Sequence, residues 1–255
     1  MANKIIIVLI SALLAYVGFT VISNKVNMNT IVNNGLSIVQ NEFDAEPLAL
    51  GEFETIKMYK ILPFKSKAYY VEDLGVMPIL AMNAGIMQII TININPYEKD
   101  LPQLTIDFTI KLNQREIFVE IYELMLNKED EKYKNFLKKI EEITEKYKDI
   151  KDAKIEQSWY LDYTSKAIKK ECYISSEKKM LNFYEEIIEA YIEYAKDAPK
   201  LSDSDKKNKV NVIKDFSEKL VEKGGISTDV FKKTLGEEKT LEYFEKVLYG
   251  YAHVK

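Results

Sequence analysis

Two carboxylates, Asp107 and Glu120, fall in neighbouring strand-like runs, LTIDFTIKL and REIFVEIY, at a spacing that brings them together. Both runs alternate apolar and polar residues, and alternation sends successive side chains to opposite faces of a sheet. With Asn113 and Gln114 as a two-residue hairpin loop, Leu112 faces Arg115, and Ile110 with Ile117, Phe108 with Val119 and Ile106 with Ile121 make an oily face. The other face carries Thr109 with Phe118, Asp107 with Glu120, and Thr105 with Tyr122. A slip of one residue would mix the two sets, so the sorting selects this register. Two facing carboxylates cannot cheaply both be charged, so under a cover one keeps its proton near neutral pH and is a usable acid. The alternative is a wetted sheet face among threonines, with no chemistry.

The preceding run, MQIITININP, extends the same arrangement. Ile90, Ile92 and Ile94 share one side, while Thr91 and Asn93 share the other with Met87, Ile89 and Asn95. Upstream, strands are predicted over 53–61, 65–71 and 76–82, separated by Pro63 and by turns at 73–75 and 83–85. Short turns between strands imply antiparallel neighbours in a sheet of five or six strands. Downstream the pattern becomes helical. Phe136, Ile140, Ile143 and Tyr147 mark one amphipathic helix, and Met180, Phe183, Tyr184, Ile187, Ile188, Tyr191 and Tyr194 mark another over 177–196. Further helices are expected over 205–223, capped by Ser202 or Ser204 and stopped by Gly224 and Gly225, then over 227–233 and 236–249. A sheet with one oily face, a short helix before it and several helices after it predicts an α+β fold, a three-layer α/β/α sandwich with a central antiparallel sheet.

Composition excludes several functions. The chain has 255 residues, 47% hydrophobic and 30% charged, enough for one real core. A net charge of −4 and a pI near 5.4 argue against nucleic acid as a partner. One cysteine, Cys172, rules out an internal disulfide and CxxC chemistry, and one histidine, His253, makes a His-based metal site or a Ser-His-Asp triad a poor reading.

The stretch 5–23 holds no charge and is flanked by Lys4 and Lys25. Nineteen apolar or neutral residues match a bilayer's hydrocarbon thickness, so an N-terminal transmembrane helix is expected over 1–26, with a cleaved signal as the alternative and a single domain over 27–255. A short basic N-terminus that stays inside would put that domain on the extracytoplasmic side. Aromatics concentrate at Trp159, Tyr160 and Tyr163, a density that usually means core packing.

Taken together, the strand ending in proline (MQIITININP), the step Asp100, Leu101, Pro102, the strand with a central aspartate (LTIDF) and the C-terminal GISTDVFKKTLGEEKTLEYFEKVLYG resemble the ferredoxin-dependent bilin reductases. The resemblance implies a tetrapyrrole pocket, with Asp107 as proton donor, Glu120 raising its pKa, and Thr91 and Asn93 binding the pyrrole lactams. It also implies Trp159 and Tyr160 as pocket walls beside Thr105 and Tyr122. No bound cofactor or metal is expected, and electrons would come from ferredoxin or a similar donor. Where many members of that family carry a histidine on the preceding strand, this chain has Thr91. Two other readings stand beside the reductase: a membrane-tethered tetrapyrrole-binding protein without redox chemistry, and an envelope-associated structural module with a closed core.

Overall fold

The computed structural model describes residues 2–254, with the side chains of residues 2–9, Leu13 and Ile226 outside the description. Strands β1 (Ala45–Pro47), β2 (Thr55–Met58), β3 (Leu62–Val71), β4 (Gly75–Asn83), β5 (Met87–Pro96), β6 (Gln103–Lys111), β7 (Gln114–Tyr122), β8 (Lys151–Asp152) and β9 (Thr164–Tyr173) form one sheet in the order β1-β3-β4-β5-β6-β7-β9-β8, with β2 also on β3. Every pairing is antiparallel, as short turns require. Pro63, expected to separate strands, lies inside β3 opposite Lys57 of the short edge strand β2. An edge is where a residue without an N–H is tolerated.

The hairpin register differs from the one the alternation suggests. Leu112 and Asn113 form the loop, so Asp107 faces Phe118, Thr105 faces Glu120 and Ile110 faces Arg115. The shift is two residues, and a two-residue shift leaves every side chain on its original face, so face sorting cannot detect it. The loop also holds Leu112 at φ 48°, a left-handed conformation that asparagine adopts more readily than leucine. What fixes it is tertiary: Leu112 N donates to Ile86 O of the neighbouring turn at 2.8 Å.

Helices cover both faces. On the oily side lie α1 (Ala2–Gln40), α2 (Glu131–Lys146) and α3 (Glu177–Lys196), burying Ile90, Ile92, Ile106, Phe108, Ile117 and Val119 among Ile31, Phe136, Phe183 and Ile187. On the other side lie α4 (Asp203–Lys223), α5 (Ile226–Leu235) and α6 (Glu237–Tyr243), the last continued by a π-turn at Phe244–Leu248. Their Ile213, Phe216, Phe231 and Phe244 pack with Phe64, Ala68, Leu80 and Tyr122 in a second core. Asp130 caps α2 by accepting from Lys132 N, and Ser202 caps α4 by accepting from Asp205 N.

The only arginine enters the oily face and is buried there. Arg115 donates to Glu177 on α3, to Asn24 Oδ1 on α1 at 2.8 Å, and to the turn carbonyls Leu112 O and Gln114 O at 2.9 and 3.1 Å. One side chain thus joins two helices to the β6–β7 turn.

The membrane-spanning helix expected over 5–23 is not supported. Among the described residues no helix is long and apolar enough to cross a membrane. Part of that run, residues 5–9 and 13, has side chains outside the description, while Thr20 within it is buried. The run continues without a break as α1, whose second half buries Ile31 and Val39 against the sheet and α3, so the division expected at 26/27 falls inside a helix.

α1 crosses α3 through Gly35. A Cβ there would meet the Tyr184 hydroxyl at 2.0 Å, and that hydroxyl donates to Ile31 O at 2.9 Å. Gly35→Ala is therefore expected to destabilise by about 1–3 kcal/mol in urea unfolding, as overpacking does, and Tyr184→Phe in the same chain should recover part of the loss. A neutral Gly35→Ala would contradict the packing.

Candidate functional site

Cross-strand pairing sets the candidate residues in rows across the face beneath α4 and α6. One row runs Thr91 (β5), Asp107 (β6), Phe118 (β7) and Lys169 (β9). The next, farther from the β6–β7 turn, runs Asn93, Thr105, Glu120 and Ala167. Asp107 and Glu120 are diagonal neighbours on adjacent strands rather than directly opposed.

The two rows differ in cover. Asn93, Thr105, Glu120 and Tyr122 are buried, while Thr91, Asp107, Phe118 and Lys169 keep partial access to solvent. The roof expected over Asp107 therefore stops short of it, and Asp107 lies at the boundary between the covered and open parts of the face. The covered part is held by the π-turn. Asn93 Nδ2 and Asn95 Nδ2 both donate to Leu248 O, at 3.3 and 3.0 Å, and the Tyr97 hydroxyl donates to Tyr249 O at 3.0 Å. Asn93 thus grips the roof with its amide, and its Oδ1 is buried without a protein donor.

Trp159 and Tyr160, expected as pocket walls, are half-buried and pack side by side just before β9. The Trp159 indole donates to Gly224 O at 2.8 Å, its ring meets Tyr160 and Tyr163 edge-on, and Phe216 contacts Tyr163, Trp159 and Tyr122. Gly225 admits Tyr160, since a Cβ on it would stand 3.3 Å from Tyr160 Cε1. Gln103 Nε2 donates to Thr105 Oγ1 at 3.2 Å, so Thr105 is already engaged by protein.

Electrostatics assigns the two acids different parts. Burial pushes Asp107 up to about 6, opposed by the hydrogen bond it accepts from Thr91. Protein surrounds Asp107 closely but its partial opening admits solvent, so the full upward shift belongs to a state in which the opening is covered. Glu120 is pushed further, to about 8, first by burial and then by the charge of Asp107, while the Tyr122 hydroxyl donating at 2.9 Å opposes the shift. The influence runs opposite to expectation: Asp107 raises Glu120. Glu120 holds the tighter proton, and Asp107 holds the one a ligand can reach.

Stability should follow. A carboxyl whose folded pKa exceeds its unfolded value binds its proton more tightly when folded, so its contribution is full below the unfolded pKa, near 4.5, and is lost as pH rises through about 8. Glu120→Gln is expected to flatten the fall in melting temperature of the wild type between about pH 5 and 8. Parallel curves would show that Glu120 is not buried as a neutral acid.

Three neighbours escaped the sequence reading. Phe118 faces Asp107. Lys169 pairs with Glu116 at 3.2 Å and lies 5.9 Å from the centre of the Phe118 ring, and the buried Tyr249 is raised by burial and then by Glu120. Only Phe118 carried a usable signal, its place in the alternating run. Among the described residues no group of three or more His, Cys, Asp or Glu side chains could hold a metal. A cavity of about 360 Å³ opens toward the β6–β7 turn, lined by Thr109, Glu116, Lys111 and Lys151 among others, beside the Asp107 row rather than above it.

No family model matches the sequence, and no curated protein matches it. The fold is that of a solved structure, selenomethionine phytochromobilin synthase from tomato in complex with biliverdin. The two share 14% sequence identity at a TM-score of 0.69, over 87% of this chain and 82% of the tomato chain. At that identity the likeness is one of fold.

Proposed function

We propose that this chain binds an open-chain tetrapyrrole on the face carrying Asp107 and reduces it with electrons from a separate donor. The observation that carries the reading is the position of Asp107: a carboxyl with a raised pKa, reachable from solvent, at the edge of a covered polar floor with Trp159 and Tyr160 alongside. The tomato synthase with the same fold was crystallised with biliverdin, and the sequence resembles the bilin reductases at LTIDF and MQIITININP. A two-electron reduction consumes two protons. Asp107 delivers one to the substrate and is left as carboxylate, and solvent entering beside it supplies the second and reloads the acid. Thr91 holds Asp107 in place, and Glu120 stays neutral beneath it, so the carboxylate left behind meets no second negative charge. No cofactor resides in the chain under this reading, and ferredoxin or a similar small protein carries the electrons.

Thr91 also favours a second reading, binding without reduction. A threonine hydroxyl on Asp107 supplies one hydrogen bond but no second titratable group near neutral pH. Titrating the full chain with biliverdin, bilirubin or haem separates the cases. The reductase reading expects a shifted absorbance band with quenched Trp159 emission, and bleaching of the band when a reducing system with ferredoxin is added. A complex whose spectrum survives reduction means a carrier. No spectral change with any of the three ends both readings.

A further inference from the structure

We infer that the end of the sheet formed by its β2–β3, β4–β5 and β6–β7 turns is a docking face for a lipid bilayer, with the first half of α1 lying against the same membrane. The inference does not depend on the tetrapyrrole reading. Pairing of Met58 with Leu62, Asn83 with Gln88, Lys111 with Gln114, and Gln114 with Tyr173 brings three turns and the last residue of β9 to one end of the sheet. Hydrogen bonds tie the β4–β5 turn, the β6–β7 turn and the end of β9 together, from Leu112 N to Ile86 O and from Ile174 N to Asn113 O, both 2.8 Å. Each tip presents a large apolar side chain to solvent: Tyr59, Ile61, Ile86, Leu112 and Tyr173 are between 40% and 77% exposed. Elsewhere in the sheet such residues are buried or half-buried. Tyr59, Lys60 and Leu112 are in left-handed backbone at φ 51°, 67° and 48°, a conformation that costs a non-glycine residue energy.

α1 reaches the domain at this same end. Asn24 meets Arg115, which is bonded to the turn carbonyl of Leu112, and from there the helix runs along β5, with Gly35 against Ile92. Residues before Asn24 accordingly extend past the turns by up to about 30 Å at helical rise. Over 10–27, Ile10, Leu14, Tyr16, Phe19, Ile22 and Val26 face solvent while Thr20, Asn24 and Asn27 are buried, the reverse of a helix that belongs wholly to a water-soluble domain.

The chemistry selects lipid over a protein partner. The sequence has no charge over 5–23, and the rim where helix and turns meet carries exposed Lys25, Lys60, Lys65 and Lys111, cations suited to anionic headgroups above an apolar layer. Tyrosines at the tips and on the helix suit the interfacial depth.

An environment-sensitive fluorophore on the full chain tests this. Cys172→Ser removes the native thiol, and Ile61→Cys, Ile22→Cys or Glu72→Cys places the label at a turn tip, on α1, or at the β3–β4 turn at the opposite end. With phosphatidylcholine vesicles containing a minority of phosphatidylglycerol, the labels at positions 61 and 22 should both shift to the blue and the label at 72 should not. A shift at 22 alone, with 61 remaining in water, overturns the docking face. So does no shift at either, and so does a shift at 61 that needs no vesicles and grows with protein concentration, which would assign the face to a second copy of the chain.

Discussion

Asp107→Asn is expected to lower the rate of substrate reduction by roughly 10²–10⁴-fold while leaving tetrapyrrole affinity nearly unchanged, since an amide has the shape of the acid but no proton of comparable acidity to give. Thr91 can still donate to the asparagine oxygen, so the floor keeps its geometry. A second signature goes with the first. Burial is what raises the pKa of Asp107, so at neutral pH the folded chain carries a poorly solvated carboxylate, and the neutral amide should make the variant more stable than wild type there. The wild-type rate should fall as pH rises past about 6. A variant that gains stability and loses turnover together supports the proton-donor role. One that changes stability alone, with affinity and turnover intact, reduces Asp107 to a structural residue.

Arg115→Met should give the largest loss of stability, about 3–5 kcal/mol in urea unfolding, the scale for removing one partner from a buried ion pair. Its guanidinium is satisfied by Glu177, Asn24 and two turn carbonyls, and methionine abandons all of them. Arg115→Lys should recover little, because a single ammonium cannot reach acceptors spread over α1, α3 and the β6–β7 turn. Glu177→Gln should cost less, since Glu177 keeps some solvent access and an amide oxygen can still accept. If Arg115→Met unfolds at the wild-type urea concentration, the junction does not hold these elements together.

Much of this architecture can be read from hydrophobic periodicity. Glu177–Lys196 is the helix its apolar spacing predicts, and β5, β6 and β7 carry their oily residues on the expected side because period-two alternation fixes faces. It does not fix pairing. The hairpin shifts by two residues, and with it the contact between Asp107 and Glu120 becomes diagonal and Arg115 moves in line with Ile110. β9 is obscured for a related reason. Lys170 lies on the side where Ile168 and Cys172 pack, buried because Asp152 and Ile150 O take its ammonium, and that compensation comes from residues 18 and 20 positions earlier, in and beside β8. The long α1 is hidden differently: its apolar first half imitates a separate segment, while the close approach that anchors its second half rests on Gly35 and Tyr184, 149 positions apart by their numbers. The acids themselves were legible as a pair. Which one is reachable depends on where the roof ends, a property of α4 and the π-turn that no local pattern encodes.

The grip of Asn93 and Asn95 on Leu248 O joins positions 155 and 153 residues apart. A ribosome therefore releases the floor long before the strap that closes it. Throughout elongation Glu120 and its neighbours stand in water, where an ordinary carboxylate is ionised, and only when the final helices arrive must Glu120 take up a proton. Docking of the C-terminal strap should thus be accelerated in mild acid.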